Sequence, residues 1–275
     1  MYLIIGHESD LCCRRVADGL RLLGLPVIAS DEPLSADFLF TWNRCGGPAT
    51  GMLRSVTDNQ SVPLSSLRGV LLRSFGGPCA PKEMAQEDQV YLRQEVQAAM
   101  LAWLHELPCP VVNRPSHLWW FHPQRPLLDW VPWLRRAGLA SPVIRLTSTP
   151  ASQEASEYAP LTSAARYPLQ NAAQAAQLQK VAQRMPVCQI AKCPGPIVHA
   201  IVVGRRQVHW DGEATLATIA AQREDLDHRL RSLAGELSLD LVRVSLVLSD
   251  KPRCTQVEPW PDLADCHPDC QDAVI

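Results

Sequence analysis

From Thr149 to Gln183 the chain contains no glycine at all, so that stretch lacks the residue that most readily lets a flexible loop close its backbone amides over a phosphate. An excess of one charge is missing too. Lys and Arg number 26 against 28 Asp and Glu, and a formal net charge of −2 gives no basic face for nucleic acid. No run approaches the roughly 18 to 20 apolar residues that span a bilayer. Met1-Tyr2-Leu3-Ile4-Ile5 enters a strand directly, with no basic flank or cleavage site, so a cytoplasmic protein with no membrane partner is expected. Aromatic residues make up only 6% of the chain, but eight of them are tryptophans, which argues for localised surfaces rather than an evenly aromatic core. A disulfide framework is also lacking. Ten cysteines are scattered without repeated spacing, as expected of reduced thiols serving as small apolar residues.

What is present is enough for a sizeable core: 275 residues, 47% of them hydrophobic, suit two small lobes or one large domain. The most structured stretch runs from Val187 to Pro259. Ile197 to Val203 is rich in β-branched residues, Gly204-Arg205-Arg206 is a turn, and Gln207 to Trp210 returns, which together predict a hairpin. Leu216, Ile219, Leu226, Leu230, Leu233 and Leu237 recur at helical spacing, predicting one long helix over 214–237. Leu239 to Leu248 reads as a buried strand, and Arg253 to Val257 can pair back with it across Asp250-Lys251-Pro252.

Earlier in the chain, Asp10 is placed to cap a helix from Leu11 to Leu23, and Pro26 to Ala29 starts a second strand. That β-α-β opening predicts a parallel sheet with a right-handed crossover. Phe38 to Trp42 and Gly69 to Arg73 read as further strands. Val90, Leu92, Val96, Met100, Leu101 and Leu104 predict an amphipathic helix over 86–107, followed by a short strand at Val111-Val112. Then come Asn113-Arg114-Pro115, Gln124-Arg125-Pro126, a helix from Leu127 to Ala137, Gly138-Leu139, and Pro142-Val143-Ile144-Arg145-Leu146-Thr147-Ser148.

In this order and spacing the sequence resembles the ATP-grasp ligases, in particular the ribosomal-protein glutamate ligases and the graspetide, or microviridin-type, ligases. The resemblance covers nearly the whole chain. It implies an α/β, ATP-grasp-like fold with an N-terminal parallel α/β lobe (1–115), a linker helix and reduced middle lobe (116–186), and a C-terminal antiparallel α+β lobe with a tail (187–275). It also implies ATP and magnesium as cofactors, an acyl-phosphate mechanism, and a peptide or partner enzyme as partner, with a homodimer as one oligomeric option.

The motifs that carry the chemistry depart from the family. The counterpart of its lysine segment is Ala165-Arg166-Tyr167-Pro168-Leu169. Gln189 keeps the family glutamine, but the acid after it is Ile190; the family Asp and Arg fall on Ile197 and His199; the buried-strand Asp falls at or near Ser245. Its closing Glu-x-Asn-Pro becomes Gln256-Val257-Glu258-Pro259. Magnesium takes hard, preferably anionic oxygens, and of these positions only Glu258 is a carboxylate. By this resemblance Arg125, Arg166, Gln189, Lys192 and Glu258 are the candidate ATP-cleft residues, and Gln256 and Glu258 the degenerate magnesium positions. Two function classes follow. One is a non-catalytic binding or accessory component of a peptide or amino-acid modification pathway, with no cofactor. The other is an active ATP-dependent ligase that uses substituted residues. A weaker third is an altered enzyme using His199 and a metal.

Three other features invite chemistry, each beside a plainer reading. Cys266, His267 and Cys270 carry soft-metal ligands, or are a mobile tail. His199 and His209, flanking Gly204, would face each other near Cys188 or Cys193, or line the solvent side of a hairpin. Trp119, Trp120, Phe121, Trp130 and Trp133 form a partner surface or are partly core.

Overall fold

The apolar opening residues form β1 (Tyr2–Ile5), and Asp10 starts α1 (Leu11–Leu22) by accepting a 2.8 Å hydrogen bond from the Cys12 N–H. This computed structural model describes residues 1–7, 9–30, 38–43, 50–55, 61–73, 83–115, 127–147, 158–161, 187–249, 251–266, 268 and 274. The elements that follow are β2 (Val27–Ser30), β3 (Phe38–Asn43), β4 (Thr50–Ser55), β5 (Ser61–Pro63), β6 (Gly69–Leu72), α2 (Gln86–Glu106) and β7 (Val111–Val112). Next come α3 (Leu127–Arg136), β8 (Ile144–Thr147), β9 (Tyr158–Leu161), β10 (Val187–Ala191), β11 (Ile197–Val203) and β12 (Gln207–Trp210). The last are α4 (Glu213–Ile219), α5 (Arg223–Glu236), β13 (Leu241–Val247) and β14 (Arg253–Glu258). Contacts divide the chain into two units: Met1–Phe121 with Asp262–Ile275, and His122–Pro261.

In the first unit β1 pairs in parallel with β2 and β6, and β6 with β7, giving the sheet order β2-β1-β6-β7. A separate antiparallel sheet, β3-β4-β5, joins the same core: Leu53 and Val62 are buried with Leu3, Ile5, Val70 and Trp103, and Phe40 meets Trp103 edge-on at 4.8 Å. Sequence pattern anticipates β3 and misses β4 and β5, because their short polar-flanked runs carry little periodicity. The helix expected at 86–107 is there, but only its second half is buried. Met100, Trp103 and Leu104 face the core, while Val90 is 47% and Tyr91 65% exposed. Arg114, from the Asn-Arg-Pro segment, caps the end of α2: its guanidinium donates to the carbonyls of Leu104, His105, Leu107 and Cys109. A cation there also suits the negative end of the helix dipole. The chain returns to this unit after Pro261. A 3₁₀ turn at Leu263–Asp265, capped by Asp262, packs against α1 and buries Leu263 and Cys266, so up to Cys266 the terminus is packed, where a mobile tail was one reading.

The second unit begins with α3, which ends as the Gly-Leu pair predicts. Gly138 takes φ +73, and the Leu139 N–H reaches the Leu134 carbonyl at 2.8 Å, a closing turn that glycine adopts without a Cβ penalty. β10 pairs antiparallel with both β8 and β9. β11 to β14 form a second sheet in the order β12-β11-β13-β14. The helix predicted over 214–237 is instead two, α4 and α5, separated at 220–222. Its second start is signalled by Glu224 and Asp225, acids that suit the positive end of a new helix. Among the described residues no helix is long and apolar enough to cross a membrane.

Candidate functional site on the C-terminal sheet

Register fixes which side chains share a face, because partners directly opposite in antiparallel strands point the same way. On one face Val198, Ala200, Val202, Val242, Val244, Leu246, Cys254 and Val257 are all buried, and α5 lies against that sheet with Leu226, Leu230 and Leu233. Trp210, opposite Ala200, reaches the same helix with a 2.8 Å hydrogen bond from its indole N–H to Asp227. The fully buried Cys254 thiol is pushed up to about 12 by loss of solvation.

The other face is polar. One cross-strand row is His199, Ser245 and Gln256; the next is Ile201, Arg243 and Glu258. A bulge between Ser245 and Leu246 keeps Gln256 and Glu258 on this face: Cys254 pairs with Leu246 while Gln256 pairs with Ser245, leaving Thr255 as the extra residue. Thr255 Oγ1 secures the bulge by donating to the Ser245 carbonyl at 3.2 Å. His199 Nδ1 and Ser245 Oγ are 2.9 Å apart, a hydrogen bond whose direction follows the tautomer. Arg243, a buried residue in mid-strand, has Nη1 3.6 Å from Glu258 Oε2 and Nη2 4.0 Å from Asp211 Oδ2. Glu258 Oε1 accepts from the Gln256 amide at 2.5 Å. Both oxygens of Glu258 are therefore engaged within the chain. The connection from β10 to β11 is tight: a Cβ on Gly195 would lie 2.0 Å from the Leu248 carbonyl oxygen, at φ +136.

No protein-family model matches the sequence, and no curated protein does. Solved structures do. Macrocyclase MdnC of Microcystis aeruginosa MRC, bound with precursor peptide MdnA, superposes with a TM-score of 0.72 over 99% of this chain and 97% of its own, at 12% identity. A RiPP-associated ATP-grasp ligase of Chryseobacterium gregarium, in complex with ADP and a leader and core peptide, gives 0.69 over 95% and 90%, at 15% identity. The ATP-grasp ligase PsnB, complexed with a minimal precursor, Mg and ADP, gives 0.66 over 94% and 89%, at 18% identity. The chain has the ATP-grasp fold.

In an ATP-grasp fold the polar face just described is where the resemblance places magnesium ligands, and the residues present do not fit that ion. Magnesium wants near-octahedral oxygen ligands, largely anionic. At the position the resemblance aligns with the buried-strand Asp stands Ser245, hydrogen-bonded to His199, and at the one it aligns with the closing-strand Glu stands Gln256. Both carboxylates of this face, Asp211 and Glu258, flank a guanidinium. Among the described residues no group of three or more His, Cys, Asp or Glu gathers as metal ligands.

Other predicted residues are placed as follows. Gln189 lies in β10, opposite Arg145 of β8 and Pro160 of β9, and Ile190 beside it is buried. Lys192 follows that strand and is exposed. Arg125, Arg166, His267 and Cys270 lie outside the described residues, as do Trp119, Trp120, Phe121 and most of the glycine-free stretch. Cys266 is buried, its thiol 3.5 Å from the Asp262 carbonyl. His199 and His209 do not face each other. The hairpin closes with Val203 opposite Gln207, which centres the turn on Arg205 rather than Gly204 and sets His209 opposite Ile201. Cys188 is no neighbour in that sheet, since β10 belongs to another. Of the tryptophans, Trp130 is 1% exposed and part of the core, while Trp133 carries the Arg136 guanidinium 4.9 Å from its ring centroid. Sequence reasoning passed over Asp211 and Arg243. A lone arginine inside Leu241-Val242-Arg243-Val244-Ser245-Leu246-Val247 was the available signal, since a buried charge in an apolar strand needs a partner.

Proposed function

We propose that this chain is a degenerate ATP-grasp protein, a non-catalytic binding or accessory component of a peptide or amino-acid modification pathway. The observation that carries the reading is the engagement of Glu258 by Arg243 and Gln256, on the face where an ATP-grasp ligase would hold magnesium. A ligase that activates a carboxylate as an acyl phosphate must stabilise charge growing on phosphate oxygens, and metal ions are the means by which that charge is spread. Here the ligand types are replaced while the fold is kept. Peptide modification is the pathway favoured because structures of this fold include enzymes solved with precursor, leader and core peptides. Arg125, Arg166, Gln189 and Lys192 are the proposed polar contacts for whatever enters the former nucleotide cleft, and the ligand is a peptide segment or a partner enzyme.

Calorimetry of ATP binding with and without magnesium, on protein freed of copurified nucleotide, tests this. No magnesium-dependent heat at millimolar ATP is expected. Saturable, magnesium-dependent binding in the micromolar range would overturn the reading in favour of an active ligase.

A further inference from the structure

We propose that Cys12 and Cys266 are a redox-responsive thiol pair, which a low-molecular-weight disulfide such as oxidised glutathione joins into a bond that clasps the C-terminal turn to the first helix. Both residues belong to the first unit, so the pair stands apart from the polar face of the second.

Residues from the two ends of the chain meet here. Cys12 is the second residue of α1 and is fully buried, and Cys266 directly follows the 3₁₀ turn Leu263–Asp265 that packs on that helix through the buried Leu263. The two thiols share one electrostatic neighbourhood. Cys12 is raised to about 11 by burial first, the Arg73 guanidinium opposes the rise, and Asp10 and Cys266 add to it. The other described cysteines of this unit are placed differently. The Cys13 sulfur is turned to Gly6, where a Cβ would lie 2.6 Å from it, and helix neighbours one residue apart do not face each other. Cys109 precedes β7, at the end of the parallel sheet where its strands begin, whereas Cys12 follows β1, at the end where they finish.

Cys266 is 7% exposed and Cys12 0%, so the reagent meets Cys266 first, when the turn opens. The Cys266 thiolate attacks one sulfur of oxidised glutathione, whose S–S bond breaks. A mixed disulfide forms, and the departing glutathione thiolate takes up the proton that Cys266 gave up. The Cys12 thiolate, near Arg73, then attacks the Cys266 sulfur and expels the second glutathione, which takes up the Cys12 proton. The protein has lost two electrons and two protons, and two molecules of reduced glutathione hold them. Because both sulfurs are buried, the first attack is slow, and the clasp answers a sustained oxidising shift rather than a brief one. The chain re-enters the first unit at Asp262, and the new bond fixes that re-entry four residues later.

The test incubates the full-length wild-type chain, folded by circular dichroism, with oxidised glutathione, blocks the remaining thiols and maps the peptides by mass spectrometry without reduction. A cross-linked peptide joining Cys12 to Cys266, lighter than its two parts by two hydrogens, is expected. Cys13→Ser and Cys270→Ser should retain the link, and Cys12→Ser and Cys266→Ser should lose it, which assigns the sulfurs. The backbone N–H groups of Ala264 and Cys266, which donate to Asp262 Oδ1 and the Leu263 carbonyl, should exchange with deuterium about tenfold more slowly in the linked chain, since the turn no longer lifts from α1. Wild type that keeps both thiols, that carries glutathione on each separately, or that joins Cys266 to any other cysteine overturns the proposal without recourse to a variant. A link that forms only in urea overturns it as well, and so does a linked chain whose turn exchanges as fast as before. No nucleotide or metal is present, so this outcome and that of the ATP calorimetry are independent.

Discussion

On the helix-covered face of the C-terminal sheet, Val198, Ala200, Val242 and Val244 alternate with the polar residues His199, Arg243 and Ser245 that the same strands turn the other way. The covered face asks only for apolar volume, and many sequences satisfy that. The polar face asks for particular atoms at particular places. A chain can therefore keep its shape at 12 to 18% identity to the compared ligases, because the covered face constrains volume more than identity, and shape by itself says little about chemistry.

The comparison breaks most visibly if the two faces respond alike to substitution. Leu230 is fully buried under the sheet, and Leu230→Ala removes methylenes and leaves a cavity. A loss of about 2–5 kcal/mol is expected in urea unfolding, the range for buried Leu→Ala changes. A loss under about 1 kcal/mol would show that α5 is not packed as described.

Cys254 gives the same face a pH signature. Its thiol is pushed up to about 12, against 9.0 for the unfolded chain, so the folded state holds its proton after the unfolded state has released it. Stability is complete below pH 9 and falls as pH rises toward 12, by up to about 1.4 kcal/mol per pH unit for this one group. Cys12, raised to about 11 mainly by burial, adds a similar slope over a shorter window. Cys254→Ala should flatten the alkaline limb of the melting-temperature profile. An unchanged limb would show that the thiol is not buried as described.

The apolar face was largely legible in the sequence, and the polar one was not. Ile197 to Val203, Leu241 to Val247 and the leucines of α5 announce themselves by run length and spacing, and Gly138 marks a helix end that only a left-handed residue makes well. The parallel sheet was legible from its β-α-β opening. Arg243 went unnoticed as a site residue because its role comes from partners at positions 211 and 258, which only sheet register brings near it. The His199–His209 pairing failed for a related reason. A shift of the turn centre from Gly204 to Arg205 moves each residue's partner by two, and composition does not fix that shift.

On the polar face, a double-mutant cycle of Arg243→Met and Glu258→Gln should return a favourable coupling of about 0.5–3 kcal/mol, as for neighbours within one ion-pair network. Additive effects would mean that the guanidinium and carboxylate stand near each other without interacting, and would remove the contrast with the apolar face, where energy comes from burial.

The smallest effect is also the most specific. Ser245→Ala deletes one hydroxyl, 2.9 Å from His199 Nδ1, and leaves the Ser245 carbonyl that Thr255 uses to hold the bulge. Loss of a single hydrogen bond predicts about 1 kcal/mol of stability, with the bulge and the Arg243–Glu258 pair intact. His199→Phe, which removes the partner but keeps a ring, should cost a comparable amount and combine with Ser245→Ala less than additively, since each removes the same bond. If the two losses add in full, the histidine and serine contribute independently, and the polar row is a set of neighbours rather than a network. If they do not, the row is a connected polar structure within a buried sheet, held in place by bonds of its own making.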